Sequence, residues 1–122
     1  MAYDDNNIFA KILRGEIPNK TVYEDDHVLA FEDINPMAPV HVLVIPKGKY
    51  TDFTDFAHNA SPEEMVALNQ ACAKVAEMTG VAETGYRLLS NRGPDANQEV
   101  PHLHLHVVGG TNLKRMLPPD LV

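Results

Sequence analysis

Tryptophan is absent from this 122-residue chain, and cysteine occurs once, as Cys72. A single cysteine excludes an intrachain disulfide framework and a cysteine-rich zinc site. Cations are scarce as well: ten Lys plus Arg stand against seventeen Asp plus Glu, a formal charge of −7. Gripping a DNA or RNA polymer needs clustered positive charge, so nucleic-acid polymers are not expected as partners. A small nucleotide stays open, because neutral donors can meet its phosphate. No apolar run approaches the roughly 18 residues of a membrane span, and MAYDDNN has neither a basic nor an apolar leader region. The expectation is a reduced, cytoplasmic protein with no membrane partner.

Hydrophobic residues make up 44% of the chain and charged residues 22%, a globular balance. The length suits one domain over residues 1–122, with no linker or repeat. A short helix is expected at Ile8, Phe9, Ile12 and Leu13, capped by Asn6 or Asn7 and stopped at Gly15. Strands are expected at Thr21 to Glu24, His27 to Ile34 and Val40 to Ile45, the first two as a hairpin across Asp25-Asp26. Residues 47 to 60 have no periodicity and read as loop. Ser61, Pro62 and Glu64 form a capping box ahead of a stripe of Met65, Leu68, Cys72, Val75 and Ala76, ending at Gly80. Tyr86 to Asn91 and His102 to Val108 complete the strands, and the class is α+β with an antiparallel sheet.

The last strand carries the chemistry. His102, His104 and His106 alternate with Leu103, Leu105 and Val107, so a period of two puts three imidazoles on one face. A solvated His-rich face is the bland explanation. A metal site fits the spacing poorly, since the outer pair lie about 13.5 Å apart along a strand. Two neighbours could still hold an ion with His41 or Asp33. Catalysis fits better: a neutral imidazole is a nucleophile, and flanking rings can orient it, donate to phosphate oxygens or pass a proton.

HLHLHVV, residues 102 to 108, resembles the signature of the histidine triad family, and Gly109-Gly110 follow it. IFAKILRGEIP, FEDINPMAPVHVLVIPK and GYRLLSNRG resemble the Hint branch of that family, the nucleoside phosphoramidases, in order and spacing. The resemblance implies a five-stranded antiparallel sheet with one long and one short helix. It also implies a homodimer joining two such sheets into one continuous ten-stranded sheet. The implied substrate is a purine nucleotide or nucleoside phosphoramidate, with no cofactor and no metal. His104 would attack the α-phosphorus to give a nucleotidyl-histidine, His106 would donate to the phosphate, and His102 and His41 would complete the proton network. Asp33 would bind the ribose, Phe9, Ile12, Ile17, Phe31 and Ile34 would form the purine slot, and Asn91 would contact phosphate or ribose. On pattern alone Phe9, Ile12, Phe31 and Ile34 are core residues, Asp33 and Asn91 are turn formers, and His41 is an interior histidine.

Two positions depart from the branch. Glu99 stands where a Ser commonly meets the scissile bridge, leaving the backbone amides of Gln98 and Glu99 as donors there. The branch's C-terminal Trp is missing, with Leu117 in MLPPD. A dinucleoside polyphosphate hydrolase and a non-catalytic purine nucleotide sensor or scaffold remain the alternatives to a phosphoramidate and acyl-nucleotide hydrolase.

Overall fold

Five strands form one antiparallel sheet: β1 (Thr21–Glu24), β2 (Val28–Glu32), β3 (Val40–Pro46), β4 (Tyr86–Leu89) and β5 (Leu105–Gly109). The computed structural model describes residues 2–122. The spatial order is β1-β2-β3-β5-β4, so the last strand enters between β3 and β4. Its register runs from Val40 opposite Gly109 to Val44 opposite Leu105. The class and the antiparallel five-stranded sheet are as the sequence predicts.

Strand period sorts the side chains into two apolar layers. Val28, Ala30, Val42, Val44, Leu103 and Val107 face α3 (Pro62–Met78), meeting Leu68, Ala71, Cys72, Val75 and Ala76. Leu29, Phe31, Leu43 and Ile45 face the other way and pack with Phe9 and Ile12 of α1 (Ile8–Leu13). Both faces of the central strands are therefore covered. Each fully buried Val, Leu or Ile contributes roughly 1.5–3 kcal/mol. The capping box at Ser61 is present in both directions, and Asn7 rather than Asn6 caps α1.

The helix count exceeds the one long and one short expected. α2 (Phe53–Asn59) lies inside the stretch read as loop, and α4 (Val81–Thr84) follows α3. Only Phe56 of α2 is buried, so the helix has too few apolar positions to show a period. Its signal is Asp52, whose side chain accepts from the amide of Asp55 at 2.8 Å.

The ladder of β5 begins at Leu105, not at His102. Continuing the register would bring Leu103 opposite Pro46, which has no N–H to give. The amide of Leu103 instead donates to the carbonyl of Tyr50 at 2.8 Å. β4 likewise ends at Leu89, two residues short of Asn91, and β2 spans Val28–Glu32 rather than His27 to Ile34.

Candidate active site

The three histidines share the α1 face of the sheet even where the ladder has ended. Leu103 and Val107 lie in the α3 layer, whereas Phe9 of α1 stands edge-on to His104, ring centroids 4.9 Å apart. His102 is completely buried, His104 is buried and His106 half-buried. His41 of β3, opposite Val108, reaches His106 diagonally across the strand pair.

Hydrogen bonds fix which nitrogen of each ring carries the proton. The Nδ1–H of His104 donates to the backbone carbonyl of His102 at 2.7 Å, leaving its Nε2 lone pair unprotonated. The amide of Met37 donates to Nδ1 of His41 at 3.1 Å, so the proton of that ring sits on Nε2. This Nε2–H donates to Nδ1 of His106 at 2.9 Å and lies 3.4 Å from an Asp33 carboxylate oxygen. His106 in turn must carry its proton on Nε2. That atom is buried and has no hydrogen-bond partner among the described residues. The rings of His104 and His106 are 5.1 Å apart. The site thus presents an imidazole lone pair beside an unused N–H donor, the pair a phosphoryl group needs for attack and charge stabilisation.

Burial keeps the rings of His102, His104 and His106 neutral. Desolvation pushes His102 down to about 4, against the hydrogen bond to Pro46, with a small further push from His104. His106 is pushed down to about 4 by desolvation and then by its His104 and His41 neighbours. Desolvation also lowers His104, opposed by the His102 carbonyl and by the charges of Asp33 and Glu99. Neutral imidazole is the nucleophilic form, so burial favours attack at pH 7.

Asp33, His41 and His106 also bring ligand atoms within 4.8 Å of one another, as a metal site would. Their hydrogen bonds point elsewhere. The Met37 amide already donates to Nδ1 of His41, so a cation on Nε2 would require an imidazolate or a turned ring.

Phe9, Ile12 and Phe31 are buried in one apolar cluster, and Ile17 packs against it. Ile34, two residues beyond β2, is 91% exposed and stands outside that cluster. Asp33 serves two purposes: one carboxylate oxygen accepts from the amide of Asn35 at 2.8 Å, while the other faces His41. Asn91 is half-buried beside Ser90, whose hydroxyl donates to the carbonyl of His104 at 3.0 Å. Gln98 is committed to its own loop. Its amide donates to the Gly93 carbonyl, and its side chain donates to Thr51 and Val100 and accepts from Gly93. Glu99 is exposed, with its charge felt at His104.

Sequence reasoning missed Tyr3, whose hydroxyl lies 2.5 Å from Nδ1 of His102, and the Pro46 carbonyl, 2.8 Å from Nε2 of the same ring. No local pattern connects residues 99 positions apart. The Met37 amide and the Ser90 hydroxyl were missed for a similar reason, since neither residue type marks a site.

Known proteins share the sequence and the fold of this chain. The HIT domain signature matches residues 14–113. A 13.2 kDa HIT-like protein of Azospirillum brasilense is 59% identical over 115 residues, 94% of each chain. The purine nucleoside phosphoramidase of Escherichia coli is 44% identical over 115 residues, 93% of this chain and 94% of that one. A HIT family hydrolase from Clostridium thermocellum superposes with a TM-score of 0.86 at 43% identity, covering 93% of this chain and 99% of the other. With the domain signature across most of its length and these relatives aligned nearly end to end, the chain belongs to the HIT domain family of hydrolases.

Proposed function

We propose that this protein hydrolyses purine nucleoside phosphoramidates and acyl nucleotides through a nucleotidyl-histidine intermediate on His104. One observation carries the proposal: the 2.7 Å bond from Nδ1–H of His104 to the His102 carbonyl, which leaves Nε2 as a free lone pair. Nε2 attacks the α-phosphorus and forms a P–N bond as the bond to the leaving group breaks. The unpartnered Nε2–H of His106 donates to a phosphoryl oxygen as negative charge builds there. His41, fixed by the Met37 amide, holds His106 in the donating tautomer. The leaving amine takes up a proton from solvent, balanced by the proton that water releases in the second step, whereas an acyl nucleotide expels its carboxylate without one. Water then cleaves the P–N bond, releasing the nucleoside monophosphate and restoring the neutral imidazole.

The apolar cluster of Phe9, Ile12, Ile17 and Phe31 is suited to one face of a purine, with exposed Ile34 able to close on the other. In this reading Asp33 binds the ribose hydroxyls and Asn91 the phosphate or ribose. The loop bonds of Gln98 leave the Glu99 amide as the better donor toward the leaving group. A homodimer is supported by the free edge of β4, where Tyr86 and Leu88 are exposed at the end of the sheet. One domain over residues 1–122 completes the proposal.

The test is turnover of an adenosine 5′-phosphoramidate beside diadenosine polyphosphates, with mass spectrometry of acid-quenched enzyme. AMP release from the phosphoramidate, a nucleotidyl adduct on His104 and loss of both in His104→Ala are expected. Faster cleavage of the polyphosphates would favour the dinucleotide hydrolase. Tight AMP binding with no turnover by the intact protein would refute an enzyme.

A further inference from the structure

We propose that Tyr3 is a positioning residue for this reaction, its hydroxyl acting through the ring of His102 on the carbonyl that orients His104. The inference rests on the function proposed above. The ladder of β5 stops at Leu105. His102 and His104 precede the ladder, so no strand hydrogen bond holds the His102 carbonyl. Yet that carbonyl selects the tautomer of the nucleophile.

A backbone bond through the Leu103 amide of the same peptide unit and the bonds of the His102 side chain hold it instead. The His102 ring is completely buried and uses both nitrogens: Nε2–H donates to the Pro46 carbonyl at 2.8 Å, and Nδ1 accepts from Tyr3. The Tyr3 ring stands edge-on to His102 with centroids 5.6 Å apart. The neighbouring amide of Leu103 is tied to Tyr50, and the His104 carbonyl to Ser90. Tyr3 supplies a polar clamp on this stretch from the start of the chain.

The segment bearing Tyr3 is itself anchored. Asp5 pairs with Lys49 at 2.8 Å, and the Lys49 ammonium lies 6.0 Å from the centre of the Tyr3 ring. The Asn7 side chain donates to the Asp4 carbonyl at 2.7 Å, and Arg14 donates to the Asp5 carbonyl at 2.8 Å. Two residues beyond the cap, Phe9 touches His104. The same segment therefore brings both the clamp and an apolar wall to the nucleophile. Removing the hydroxyl leaves a buried acceptor on His102 without its donor, and the ring must turn or admit water to satisfy it. A displacement of the carbonyl by a fraction of an ångström misaligns in-line attack while leaving most substrate contacts intact.

Tyr3→Phe, which keeps the ring and removes the hydroxyl, tests this in the full-length protein. With an adenosine 5′-phosphoramidate, kcat is expected to fall about 5–30-fold, with KM within about twofold. Imidazole nitrogen NMR of the same variant is expected to shift Nδ1 of His102. It should also move His104 from a single Nδ1–H tautomer toward an average of two. Wild-type kcat in Tyr3→Phe overturns the proposal. So does a fall in kcat with the His104 nitrogen pattern unchanged. If the wild-type enzyme turns over no phosphoramidate, the proposed function fails, and the nitrogen spectra still decide whether Tyr3 sets the His104 tautomer.

Discussion

Lowering the pH from 7 to 5 is expected to destabilise this fold by about 3 kcal/mol, through imidazoles rather than carboxylates. His102 has a folded pKa of about 4 and His106 likewise, against roughly 6.5 for an unfolded histidine. Because the folded values are the lower ones, the unfolded chain binds more protons between those limits. The stability from burying the neutral rings is complete above about pH 6.5 and is lost as pH falls toward 4. For completely buried His102, integration from pH 7 to 5 gives about 2 kcal/mol. His106 is only partly covered, and solvent screening reduces its share to about 1 kcal/mol. His104 acts in the same direction. Asp55 and Glu64, held low first by the backbone amides of Thr51 and Ser61, titrate beneath this window. Urea unfolding followed by far-ultraviolet circular dichroism at the two pH values measures the loss without needing a tryptophan. His102→Asn should lower stability at pH 7 but cut the pH-dependent loss by about 2 kcal/mol. A wild-type loss below about 1 kcal/mol, or an equal loss in the variant, would refute the reasoning.

Phe56→Ala is expected to cost about 3–5 kcal/mol, because Phe56 is buried and stands edge-on to Tyr50 at 5.1 Å. A denaturation midpoint that barely moves would show that Phe56 does not anchor α2 to the core. Gly109→Ala would place a methyl 2.8 Å from a Val81 side-chain carbon and 3.1 Å from the Gly85 carbonyl oxygen. Overpacking of about 1–3 kcal/mol is expected, read as a lower thermal midpoint.

Much of this architecture is legible locally. The Ser61 box, the Leu68 to Ala76 stripe and the alternation through residues 102 to 108 each lie within a few residues, where period and capping act. The shared face of the triad follows from the same alternation. What escapes is long-range or polar. The Tyr3 bond to His102 has no local signature, nor does the role of the Met37 amide in setting His41. α2 escapes because one buried Phe cannot define a period. The start of β5 escapes because it depends on Pro46, a residue of another strand. Gln98, expected near substrate, is drawn into its loop by Gly93 and Thr51, and only coordinates reveal that competition.

The late insertion of β5 has a consequence for synthesis and folding. His41 and His106 lie 65 positions apart, and the sheet stays split between β3 and β4 until the final strand arrives. Closing so long a loop is slow, and two unpaired borders remain open to other chains meanwhile. A polypeptide released before residue 105 would have its hydrophobic layers half assembled and no donor beside the nucleophile. Chemical competence therefore arrives with β5, in the same event that joins β3 to β4.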